Sequence, residues 1–269
     1  MAYVTRTLVT SGGRDAVHDK GLSICLAADG FSFAEVSAQG ELLALGTAEG
    51  EHAASMTDLT RDVKAFFATL GVRTLGFRKM ELVVVSDESV WVPDELYGAA
   101  QGRNYLRLAG ATGLSAMAVP CRSIASTAVF AADERMVTAF KVALPGLTVT
   151  SQHVRLASLA PRSGSHPVLL AHWRDGRVDV AAFADGRYLY GNTLAFADES
   201  AALFQLMEVA KTYGLQGPDT ELLMCGDVSR ERFAAYRPYF RTTTLFTGTC
   251  RAGAEFKGVH TYRHALLLI

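Results

Sequence analysis

The sequence predicts an α/β protein made of two related halves, and three observations predict it. A three-stranded meander occurs twice, each copy runs into an amphipathic helix, and each helix is followed by a short apolar strand that starts Glu-Leu and closes on an aspartate. A strand, helix and strand in that order imply a parallel pair with the helix packed on the sheet, so each half carries a mixed sheet.

The first meander lies in Leu22 to Val36, two runs of period-2 hydrophobicity joined by Asp29-Gly30, a strong short-range hairpin signal. A third strand, Leu42 to Gly46, follows the turn at Gln39-Gly40. The second meander starts at Val168, turns at Asp175-Gly176, runs to Phe183 and turns again at Asp185-Gly186 into Tyr188 to Leu194. Each Asp-Gly pair is expected to form a two-residue type I′ turn with both residues at positive φ.

Ser55 or Thr57 caps the first helix, whose Leu59, Val63, Phe66, Phe67 and Leu70 recur at helical spacing before Gly71. Asp198 caps the second, with Leu203, Leu206, Met207, Ala210 and Tyr213 before Gly214. The following strands are Glu81 to Asp87 and Glu221 to Asp227. Extra material lies between the halves: a helix from Pro93 toward Leu108, strands at Leu114 to Val119 and Ile124 to Phe130, a helix from Asp133 to Leu144, and a strand and helix within Leu147 to Leu159. The segment Pro161 to Pro167, with two prolines among Ser and Gly, is the linker candidate, which divides the chain into 1–160 and 161–269.

Composition narrows the function classes. The 269 residues are 49% hydrophobic with a formal charge of −1, enough to bury a substantial core without disulfides. Near neutrality removes the long-range attraction to polyanions, so nucleic acid is not the expected partner. The terminal segment from Asp227 has a local basic excess, but its Phe233, Tyr236 and Phe240 form a stripe facing a core. No apolar run approaches the roughly 18 residues of a membrane span, and the first twenty residues lack a signal-peptide core, so a cytoplasmic protein is expected. Cys25, Cys121, Cys225 and Cys250 lie far apart and read as reduced, structural thiols.

A meander followed by helix, strand and helix, present twice, resembles the actin-like ATPase fold, whose halves are each ribonuclease-H-like. Leu22 to Phe33, Val92 to Leu96 and His260 to Leu266 are similar to an uncharacterised bacterial family of unknown function with that fold. The resemblance implies the fold and, because that family has no assigned activity, no reaction. Active members of the wider group use ATP and Mg²⁺, with Asp-x-Gly and a hydroxyl residue in the first hairpin of each half and paired glycines after a late strand. Here the hairpins read Ala28-Asp29-Gly30-Phe31-Ser32 and Trp173-Arg174-Asp175-Gly176-Arg177, and the late strand ends in a single Gly226. If a nucleotide binds, Asp29, Ser32, Asp175 and Gly226 line the cleft.

Other chemistries lack support. His260 and His264 are four apart, as a helical metal pair requires, but no third ligand accompanies them. Gly113-Leu-Ser115 lacks the second glycine of a nucleophile elbow, and no P-loop or dinucleotide fingerprint occurs. His172, inside a strand, reads as a satisfied core or face residue. The expectation is a non-catalytic actin-like scaffold that acts through a protein partner or a homodimer. Its rivals are a divergent ATPase or kinase binding ATP and Mg²⁺ in the cleft, and an adaptor of a membrane-associated assembly.

Overall fold

The computed structural model describes residues 3–12, 14, 19–27, 30–50, 55–70, 77–111, 115–159, 166–215 and 217–269. Asp29, the Gly71 helix stop, Gly113 and the linker residues 161–165 lie outside them.

The first sheet contains β1 (Val4–Thr10), β2 (Lys20–Ala27), β3 (Gly30–Val36), β4 (Leu42–Glu49), β5 (Phe77–Val84) and β9 (Thr148–Ser151), in the order β1-β4-β3-β2-β5-β9. The second contains β10 (Val168–Arg174), β11 (Arg177–Ala184), β12 (Arg187–Ala195), β13 (Glu221–Gly226) and β14 (Thr242–Leu245), in the order β12-β11-β10-β13-β14. With β1 set aside the orders are the same. In each, a meander is antiparallel and two further strands join in parallel. β1 is an addition the sequence reading did not contain. It is rich in Val and Thr, which suit a strand, but it lies exposed at an edge, so no alternating hydrophobicity marks it.

The helices form as their caps and spacing predict. α1 (Met56–Thr69) begins where the Ser55 side chain accepts from Asp58 N–H, and α5 (Glu199–Thr212) where Asp198 accepts from Ala201 N–H. Both have 14 residues. α3 (Glu134–Ala143) is capped by Asp133 and α6 (Arg230–Tyr236) by Ser229. α1 and α3 cover one face of the first sheet over Leu22, Ile24, Leu26, Met80, Leu82 and an aromatic cluster of Phe31, Phe33, Phe66, Phe67 and Phe140. α5 and α6 cover the matching face of the second over Leu169, Ala171, Trp173, Val178 and Val180.

The remaining faces turn toward each other. Between them lie α4 (Gln152–Ala157) and the tail after β14, whose 3-10 segment Thr261–Leu267 inserts Ala265 and Leu266 beside Leu170, Phe183 and Cys225, and Leu267 beside Ala34 and Leu45. This face-to-face arrangement explains why β11 is buried at every residue but its two ends.

Three expectations need correction. Pro93 ends a strand, β6 (Ser89–Pro93), and the helix, α2 (Gly102–Leu108), starts nine residues later. β6 forms a third sheet with β8 (Ser126–Ala132) and β7 (Ser115–Cys121), and Pro93 and Pro120 are tolerated because both lie on its edge strands. The Asp-Gly pairs are not equivalent. In the first pair Asp29 lies outside the described residues, but Gly30 faces Ala27 in register and opens β3. There a Cβ would come within 2.2 Å of Ala48 O, a close approach that only glycine allows. Asp175-Gly176 is a loop, yet only Gly176 takes a positive φ (60°), whereas Asp185-Gly186 has both residues positive, at 51° and 69°. Finally, no regular helix joins His260 to His264, because the segment is 3-10 and breaks at His264 (φ −115°).

Candidate functional site

In open α/β sheets ligands bind beyond the carboxyl ends of the parallel strands. Those ends are Ala27 and Val84 in the first sheet and Arg174 and Gly226 in the second. Asp175 stands exposed in the β10–β11 loop. Gly226 is beside Trp173 in register at φ 81°, and an added Cβ would lie 2.2 Å from Trp173 O. The second sheet thus brings Asp175 and Gly226 to the same end. Ser32 lies on the first sheet, opposite Cys25 and Thr47 in register.

Between the sheets the second half carries a polar row that sequence reasoning missed. Register sets His172, Asp179 and Thr193 side by side on β10, β11 and β12. Asp179 is fully buried, and both carboxylate oxygens are taken. Oδ1 accepts from Arg174 Nη2 at 2.9 Å and Thr193 Oγ1 at 2.7 Å, while Oδ2 accepts from Arg174 Nε at 2.9 Å and His172 Nδ1 at 3.0 Å. Because the Thr193 hydroxyl spends its one hydrogen on Asp179, it accepts from His153 Nε2 at 3.0 Å, which leaves His153 Nδ1 unprotonated. A recoverable signal existed, since His172 and Asp179 are equidistant from the Asp175-Gly176 turn. The corresponding pair in the first hairpin is Cys25 and Ser32, so the halves share the register and not the chemistry.

Arg174 also crosses between the halves. Its Nη1 donates to Asp87 Oδ1 at 2.8 Å, and Arg177 Nε lies 3.4 Å from the other oxygen of Asp87. Asp87 is placed there by α4. The Gln152 side chain, fully buried at the first turn, donates to Ser86 O and accepts from Ser86 N–H. Trp91 of β6 meets Tyr188 of β12 edge-on at 5.7 Å along the same junction. Farther in, Arg155 of α4 pairs with Glu81 of β5 at 2.9 Å and donates to Ser23 Oγ and Ile269 O.

Beside Gly226 a second arginine is neutralised internally. Arg232 stacks on Trp173 at 4.4 Å, chelates the Glu199 carboxylate and donates to Asp227 O. Trp173 is buried here among Phe196 and Tyr236, and Phe31 lies in the aromatic cluster under α1, so neither occupies the gap between the sheets.

The electrostatics follow from this packing. Burial alone would raise the Asp179 carboxyl, but hydrogen bonds from His172 and Arg174 and the Arg174 charge hold it well below the usual carboxylate range. Burial, reinforced by Arg174 and His172, lowers His153, with Asp179 opposing, and burial likewise lowers His264. Burial pushes the Cys25 thiol up to about 12 and raises Cys225 and Cys250, which makes all three poor nucleophiles. Among the described residues no group of three or more His, Cys, Asp or Glu is placed to hold a metal ion, and no helix is long and apolar enough to cross a membrane.

Two mixed sheets of matching strand order, each backed by helices and facing the other across a junction, define the actin-like ATPase fold. A Bacteroides thetaiotaomicron protein with actin-like ATPase fold and unknown function superposes with a TM-score of 0.69, covering 86% of this chain and 92% of that one at 19% identity. A chain of the PilM-PilN type IV pilus biogenesis complex matches with a TM-score of 0.51, covering 92% of this chain and 96% of that one at 13% identity. The chain belongs to the family described as Protein of unknown function (DUF3822), whose family model matches residues 15–242. Comparison with curated proteins finds no match.

Proposed function

We propose that the protein is a non-catalytic scaffold of the actin-like fold, acting through protein contacts in the cytoplasm, with its cleft held shut by its own side chains. The observation that carries this reading is Arg174. Its guanidinium is committed to Asp179 on its own sheet and to Asp87 on the other half, at the carboxyl end of β10 where a phosphate-binding loop would need open backbone amides. Asp87 and Asp179 have their oxygens taken by basic groups, and Arg232 closes the neighbourhood of Gly226. These side chains do not fit a magnesium nucleotide, which asks for free carboxylates and small neighbours. The division of the chain near Pro161, into 1–160 and 161–269, is part of the same proposal. A chain of the PilM-PilN complex has this fold, so the fold is compatible with work in an assembly, whether the partner is a second copy or another protein.

Isothermal titration with Mg-ATP and Mg-ADP tests the reading. No heat of binding at micromolar nucleotide is expected. Micromolar binding followed by hydrolysis, abolished by Asp175→Ala without a change in melting temperature, would establish a divergent ATPase instead.

A further inference from the structure

His153 is a buried ring at the junction with one nitrogen left unsatisfied. It is 2% exposed, and its Nδ1 is a buried acceptor with no partner among the described residues. Its Nε2 reaches from α4 to Thr193 on β12, so the ring ties the layer between the sheets to the edge of the second sheet. A proton added at Nδ1 would create a buried cation and a donor with nothing to receive it, both of which are costly without water.

The surrounding charges make that cost specific. β10 contributes His172 and Arg174 and β11 contributes Asp179, and these are the groups that act on the ring. Asp179 attracts a proton toward His153, but its four acceptor positions are already used by Arg174, His172 and Thr193. β5 brings Glu81, which pairs with Arg155 on α4 itself, and the tail brings Arg263, whose carboxylate partner is Asp227, together with the half-buried His264. β7 and β9 bring no charged side chain. Asp179 and Glu81 are thus engaged by other groups, and among the described residues no carboxylate oxygen bonds to Nδ1.

We infer that the contact between α4 and β12 is an acid-opened joint: the second sheet parts from α4 when His153 takes up a proton, because only the parted state gives Nδ1 water. The inference rests on the reading that the cleft is held shut by the chain's own side chains, and it adds what opens it. Opening would also release Thr193 from the ring while leaving the Arg174–Asp179 pair intact on its own sheet.

Hydrogen–deuterium exchange on the full chain at pH 7.5 and 5.5, corrected for the intrinsic rate, tests this. Exchange in α4 and β12 is expected to rise at least tenfold in acid for the natural sequence and to stay flat in His153→Gln, whose amide can still donate to Thr193. An equal rise in the variant, or no rise in the natural sequence, would overturn the proposal. Should the variant fail to fold, ¹⁵N spectra of the histidine rings in the natural protein decide: an Nε2-protonated His153 titrating below about 6.5 supports it, and a midpoint at or above that value defeats it. Micromolar nucleotide binding at pH 7.5 with the acid response intact would remove the scaffold reading alone.

Discussion

Arg174 shows how a single side chain decides the character of the cleft. Its side chain is 20% exposed and its partner Asp179 is fully buried, so removing the guanidinium strands a carboxylate in a dry site. Arg174→Met is expected to cost about 3–5 kcal/mol in urea unfolding, whereas Asp87→Asn, at a half-exposed partner, should cost less than about 1 kcal/mol. His153 and His264 have a second measurable consequence. Their folded values lie below the unfolded value of about 6.5, so the folded state binds fewer protons there, and stability should fall as pH drops through that value. The urea midpoint should therefore be lower at pH 5.5 than at pH 7.5. Asp179 is likewise held below its ordinary value, so it adds a loss only in stronger acid, as pH falls from the ordinary carboxylate value of about 3.9 toward its low folded one. His172 opposite Asp179 could be read from the hairpin, but Arg174 and Asp87 are 87 residues apart, and no local pattern connects them.

Elements were legible where one face meets a core. The cap and apolar spacing of α1 agree with its burial; in α5 the cap, Leu206 and Ala210 agree, whereas Leu203 and Met207 are half-buried and Tyr213 is exposed, and Asp198→Ala should cost about 1 kcal/mol and Leu206→Ala about 2–5 kcal/mol in thermal or urea unfolding. Gly226→Ala should be harsher than a usual glycine substitution, since both its φ of 81° and the Trp173 carbonyl oppose a side chain. Elements without such a face escaped notice. β1 is solvated, and β6 is a five-residue edge whose terminal proline suggested the start of a helix. Gly30, expected in a turn, is a strand residue for a different reason. Asp-Gly is the expected turn pair, but the approach of β4 to Gly30 makes the glycine a strand residue.

At the scale of the whole molecule, the two sheets do not behave as separate bodies. α4 and the tail are packed between them, and the tail's Leu266 and Leu267 enter two different apolar clusters. Unfolding is therefore expected to be one cooperative transition, with far-ultraviolet dichroism and the fluorescence of Trp91 and Trp173 changing together. Two resolved transitions would show that the junction contributes little. By itself the sequence determined the duplicated meander, helix and strand, because hydrophobic periodicity, caps and turn residues act over a few neighbours. Only the tertiary structure decided that the faces between the halves are bridged through Arg174, Asp87, Asp179 and His153, because those bonds depend on the register of three strands and on α4 holding the loop after β5.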